Sequence, residues 1–127
     1  YAGKVAAAKE ALAGEDFVYL HVEAPDETSH EGELSKKIQA IEEFDRHIVG
    51  EILAWAESRT GVRILVAPDH ATKLATKTHA ADPVPYAVCG PGVARDGGSV
   101  YHERAAESAP LEAAVGLFER FIRGTFE

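Results

Sequence analysis

Val62-Arg63-Ile64-Leu65-Val66-Ala67-Pro68-Asp69-His70 is a largely apolar run that stops at a proline followed by two residues able to ligate a metal. Such runs form strands covered on both faces, and the proline marks the carboxyl end. Immediately upstream, Gly61 closes a helix whose apolar positions Leu34, Ile38, Ile41, Phe44, Ile48, Ile52 and Trp55 recur at steps of three and four. The opposite face carries Lys36, Lys37, Glu42, Glu43, Asp45, Arg46 and Glu51, a mixed charge pattern that reads as solvated surface. Further upstream, Phe17 to Val22 is another apolar run, rich in β-branched and aromatic residues, followed by the polar segment 23–32. Strand, long helix and strand fit a right-handed parallel crossover.

The flanks extend the same pattern. Val5, Ala8 and Leu12, with Gly14 as a stop, predict a short helix over residues 2–13. Residues 71–82 are polar and read as irregular, and Val84 to Cys89 predicts a third strand bounded by Pro83 and Gly90-Pro91-Gly92. Pro85, which lacks an N–H to donate, places that strand at an edge. Leu111, Ala114, Val115, Phe118, Phe121 and Ile122 outline a closing helix introduced by Ser108 and Pro110 and ended by Gly124. The expected fold class is α/β: a mainly parallel sheet with covering helices, in one compact unit over residues 1–127.

Composition narrows the function. Thirteen basic against 21 acidic residues give a net charge of −8, which disfavours nucleic acid and anionic membranes as partners. Cys89 is the sole cysteine, read as a buried thiol, so no disulfide framework exists and a reducing, cytoplasmic compartment is the simpler expectation. No apolar stretch approaches the roughly 20 residues that span a bilayer. The chain starts at Tyr1 and contains no methionine, which suggests a fragment of a longer product. Intact-mass analysis of the natural gene product tests that expectation.

Both predicted strands end in ligand-rich segments: Asp26 and His30 after the first, Asp69 and His70 after the second. In open α/β sheets functional groups converge beyond the carboxyl ends of strands, where loops meet above a rigid sheet. His79, in Thr76-Lys77-Thr78-His79, is near enough in sequence to return to the same place. An Asp-x-x-x-His pair alone is a weak signal, because it also arises as a surface hydrogen bond on a helix. Several titratable groups gathered together carry more weight, since burying them costs several kcal/mol unless they coordinate something. Mixed imidazole and carboxylate donors suit manganese, zinc or iron better than calcium or magnesium.

These residues carry a family resemblance. His21-Val22-Glu23-Ala24-Pro25-Asp26-Glu27 with Ser29-His30-Glu31-Gly32, then Ala67-Pro68-Asp69-His70-Ala71-Thr72, then Lys77-Thr78-His79-Ala80-Ala81-Asp82-Pro83-Val84-Pro85 resemble the archaeal-type cofactor-independent phosphoglycerate mutases of the alkaline phosphatase superfamily. The likeness continues through Tyr101-His102-Glu103-Arg104-Ala105-Ala106-Glu107-Ser108, so the chain matches the family's C-terminal third. The resemblance implies an alkaline-phosphatase-like fold with two divalent metal ions, usually manganese, with zinc, magnesium or iron as alternatives. It assigns Asp26, His30 and His79 to one ion, and Asp69 and His70 to the other. It also implies a nucleophilic serine and a glycerate-gripping insert, neither of which has a counterpart here, so no catalytic residue is assigned within the chain. The implied activity is the glycolytic interconversion of 3-phosphoglycerate and 2-phosphoglycerate through a phosphoserine, with the isolated fragment inactive.

Other residues receive plainer readings. Glu27 and Glu31 suit the start of a helix, His21 a core or ligand-orienting role, Lys73 and Lys77 ordinary surface or the neighbourhood of a phosphate, and His47 and His102 structural or exposed positions. Ser29 and Thr78 adjoin ligand histidines, but adjacency in sequence does not provide in-line attack geometry. Alternatives to the mutase are another phosphomutase or phosphatase of the superfamily, or a stand-alone metal-binding module. An isolated fragment of such a sheet is expected to form homo-oligomers through its uncovered edges.

Overall fold

The computed structural model describes residues 1–95, 98 and 100–126, which group into two compact units. The first comprises Tyr1–Arg59 with Thr72–Ala80, and the second Thr60–Ala71 with Ala81–Glu127.

In the first unit, α1 (Ala2–Ala11) turns Val5 and Ala8 inward. Residues 17–22 follow as an extended segment in which Val18, Leu20 and Val22 are half-buried, while Phe17 and Tyr19 are 41% and 71% exposed. The expected doubly covered strand is therefore an extended segment covered on one face. It keeps the period of two that any extended backbone imposes, but it belongs to neither described sheet.

Residues 23–32, expected as a connection, form α2 (Ala24–Glu31). Pro25 sits in the first turn, where a missing N–H leaves no bond unmade, and Asp26 and Glu27 face the positive end of the helix. Gly32 ends α2 at φ +79°, a left-handed cap that glycine adopts without a side-chain clash.

The long predicted helix is present as α3 (Leu34–Phe44), a π-helical turn (Asp45–Val49) and α4 (Gly50–Glu57). Its apolar stripe is covered unevenly. Ile48 is buried and Phe44, Ile52 and Trp55 are half-buried, whereas Leu34, Ile38 and Ile41 are 59%, 47% and 48% exposed. The hairpin of β2 (Ala71–Lys73) and β3 (Thr78–Ala80) occupies the segment expected to be irregular. Its connection, 74–77, is closed by the Lys77 N–H donating to the Lys73 carbonyl at 2.7 Å. No hydrophobic alternation announces these strands, because each is only three residues long.

In the second unit β1 (Ile64–Val66) pairs antiparallel with β4 (Ala87–Cys89), in the register Ile64 with Cys89, Leu65 with Val88 and Val66 with Ala87. The expectation of a mainly parallel sheet is corrected here: the described strands form two two-stranded sheets. The 17–22 segment, which was to supply the parallel neighbour, joins neither of them. Cys89 is exposed rather than buried.

Arg63 ties the turn after β4 to the closing helix, donating from Nε to Pro91 O at 2.8 Å and from Nη1 to Phe121 O at 2.5 Å. Phe126 is buried, and it exchanges backbone hydrogen bonds with Gly92 and Ala94 across an isolated parallel bridge to Val93. A short helix, α5 (Glu103–Ala106), is capped by His102, whose Nδ1 accepts from the Ala105 N–H at 3.0 Å. The closing helix α6 (Ala114–Arg123) begins several residues beyond Pro110 and ends at Gly124 as expected. Among the described residues no helix is long and apolar enough to cross a membrane.

Candidate metal centre

Asp26 and His30 are four apart on α2, a spacing that sets two side chains on one helical face. β3 brings His79 to the same face. His30 Nε2 lies 3.3 Å from Asp26 Oδ2 and 3.1 Å from His79 Nε2, and His79 Nε2 lies 3.5 Å from Asp26 Oδ1. Residues separated by up to 53 positions in sequence thus bring four donor atoms of three side chains together.

The spacing can be compared with what a metal requires. Two donors bound to one ion at about 2.1 Å, with angles between roughly 90° and 110°, lie about 3.0–3.4 Å apart. The observed separations fall on or next to that range, and one carboxylate with two imidazoles is a donor set that divalent transition ions accept. The side chains of Asp26, His30 and His79 are 36%, 41% and 54% exposed, so the cluster is open to an ion arriving from solvent.

Groups behind the donors hold them in place. Thr72, 8% exposed, donates its hydroxyl to Asp26 Oδ1 at 2.6 Å, which turns the carboxylate and offsets part of its charge. Lys37 Nζ in turn donates to the Thr72 carbonyl at 2.8 Å, so this lysine reaches the hairpin instead of simply decorating a solvated face. His30 Nδ1 meets the Lys77 carbonyl at 2.8 Å, and Lys77 Nζ donates to the Glu31 carbonyl at 2.8 Å. The roles of Thr72, Lys37 and the backbone of Lys77 are not legible in the sequence. Their contacts join residues 35 to 47 positions apart, and no local pattern encodes them.

Asp69 and His70 lie in the second unit, after β1. The His70 N–H donates to Asp69 Oδ1 at 3.0 Å, and His70 Nε2 stands 3.5 Å from Asp69 Oδ2. His21, considered as a ligand-orienting group, stacks on Tyr19 and stands 3.8 Å from Glu23. Glu31 accepts from Lys36 at 2.9 Å, a contact that raises the pKa of that lysine. Ser29 is fully buried, with its hydroxyl donating to the Pro25 carbonyl, which accounts for it without a role as nucleophile. His47 stacks on Tyr1.

Comparison with known proteins bears on what such a cluster serves. The profile of the Metalloenzyme superfamily matches residues 1–116. The chain is 46% identical over 120 residues to the 2,3-bisphosphoglycerate-independent phosphoglycerate mutase of Methanothrix thermoacetophila, covering 94% of this chain and 30% of that protein. It is 49% identical over 118 residues to the probable enzyme of the same name from Geobacter sulfurreducens, covering 92% of this chain and 30% of that protein. For the mutase of Methanosarcina acetivorans the identity is 50% over 118 residues, covering 92% and 29%. The chain thus spans about a third of the length of these relatives. No solved structure matches it.

Proposed function

We propose, since this chain belongs to the Metalloenzyme superfamily, that it supplies the metal-holding C-terminal part of a 2,3-bisphosphoglycerate-independent phosphoglycerate mutase. Residues 1–127 are then one portion of a phosphatase-type α/β domain, and the remaining portion contributes the nucleophilic serine. The whole protein would interconvert 3-phosphoglycerate and 2-phosphoglycerate in glycolysis, in the reducing cytoplasm that suits a lone exposed Cys89. The observation that carries the reading is the convergence of Asp26, His30 and His79 at 3.1–3.5 Å in a chain about half identical to named mutases.

Asp26, His30 and His79 would hold one divalent ion, with manganese the first candidate, and Asp69 and His70 would serve a second. Such ions act as Lewis acids that offset charge on phosphoryl oxygens. The chain's own residues perform the preparatory work. Asp26 presents one carboxylate oxygen to His30 while Thr72 holds the other. The two imidazoles supply neutral donors, so the site does not gather excess negative charge that would repel a phosphate ester. α2 and the hairpin keep these groups on backbone elements, which limits the reorganisation needed when substrate arrives.

Calorimetric titration with manganese at neutral pH tests the site. The wild-type chain should bind, and a His30→Ala, His79→Ala double variant should lose that binding. Unchanged binding in the double variant would overturn the assignment. For the activity, a full-length relative carrying the equivalent double substitution should lose conversion of 3-phosphoglycerate. Retained conversion would remove these histidines from the reaction.

A further inference from the structure

Lys77 is a non-glycine residue with a left-handed backbone, at φ 54°. That region brings Cβ close to backbone atoms and costs an ordinary side chain free energy, so it persists only where the surroundings impose it. Three contacts impose it here. The Lys77 N–H closes the hairpin turn on Lys73 O at 2.7 Å, its Nζ donates to Glu31 O at 2.8 Å, and its carbonyl meets His30 Nδ1 at 2.8 Å. Glu31 is the last residue of α2, so the ammonium satisfies a carbonyl that the helix leaves unbonded and sits at the negative end of the helix dipole. The lysine stem crosses Gly32, where a Cβ would overlap Lys77 Cε, so the glycine also clears the way for this anchor.

We propose that Lys77 is a positioning residue, whose left-handed backbone selects the tautomer of His30 and so decides which ring nitrogen is offered to a metal. A carbonyl oxygen can only accept, so the 2.8 Å contact requires the hydrogen of a neutral His30 ring to be on Nδ1. Nε2 is left with its lone pair, aimed at the space shared with Asp26 Oδ2 and His79 Nε2. The opposite tautomer would set an N–H where a donor atom is needed and two lone pairs against each other at the carbonyl. The inference rests on the metal-centre reading for its purpose, though not for its geometry.

The test is a long-range proton–nitrogen correlation spectrum of the metal-free chain, at mildly alkaline pH where imidazoles are ordinarily neutral. His30 should report the Nδ1–H tautomer in the wild type. Lys77→Val, whose β-branched side chain resists positive φ, should shift His30 toward a mixture of tautomers and weaken manganese binding about 10–100-fold, the usual cost of losing a group that orients a ligand. Lys77→Gly keeps the carbonyl and accepts positive φ, so it should retain the wild-type tautomer. A merely structural lysine would not produce this split between valine and glycine. An Nε2–H tautomer in the wild type overturns the proposal, as does a folded Lys77→Val chain with unchanged tautomer and affinity. Should Lys77→Val fail to fold, the wild-type and Lys77→Gly spectra still decide. An Nδ1–H tautomer that responds to Lys77→Val in a chain that binds no manganese supports the positioning role and counts against the metal-centre reading, so the two can fail separately.

Discussion

Thr72 shows how much a single side chain contributes that its sequence context conceals. Its hydroxyl hydrogen bond to Asp26 is short and charge-assisted, a class typically worth about 1.5–3 kcal/mol. Thr72→Val preserves shape while removing that donor, so manganese affinity should fall about 10-fold or more, measured by calorimetry, with a much smaller change in melting temperature. Tyr101 offers a residue-scale pH effect in the second unit. Its hydroxyl donates to the Pro85 carbonyl at 3.0 Å, and burial, followed by the charge of Glu103, pushes its pKa from 10.0 up to about 12. The folded chain therefore holds this proton more tightly than the unfolded chain does. The stabilisation is fully present below pH 10 and is lost as pH rises through about 12. The difference in melting temperature between wild type and Tyr101→Phe should accordingly shrink across that interval.

At the scale of elements, α2 illustrates what a local pattern can and cannot convey. The Asp26–His30 spacing was visible in sequence, as was the chance that such a pair sits on a helix. That residues 23–32 form that helix follows from Pro25 in the first turn and Gly32 at the cap. The β2–β3 hairpin was not legible, since two three-residue strands leave no periodicity to detect. α6 was legible at its glycine stop, while its first turn begins later than Ser108 and Pro110 implied. The turn after β4 carries its own prediction. Gly92 has φ +76°, and a Cβ there would overlap the backbone carbonyl of Gly124. Gly92→Ala should force apart the Gly92–Phe126 backbone hydrogen bond and destabilise the second unit by about 1–3 kcal/mol, measured by denaturant unfolding.

For the whole molecule, the apolar stripe of the long helix is where self-association is expected. Leu34, Ile38 and Ile41 are 59%, 47% and 48% exposed, and they adjoin one another at helical spacing. Contiguous apolar surface of this kind favours contact with another chain. Sedimentation should show a mass that rises with concentration, and a double variant with Ile38→Lys and Ile41→Glu should remain monomeric. A wild-type chain that stays monomeric at every concentration would remove this stripe as an interface.

The sequence by itself determined the helices with strong 3.6-residue periodicity, the apolar runs at 62–67 and 84–89, the five candidate ligands and the family likeness. These properties are local, or are order and spacing along one chain, and they survive without knowledge of contacts. The tertiary structure alone decided that the strands pair antiparallel, that only part of the long stripe is covered, and that Thr72, Lys37 and Lys77 stand behind Asp26 and His30. Strand pairing and hydrogen bonds between distant residues depend on which surfaces meet in space, and a one-dimensional pattern of residue types does not specify that meeting.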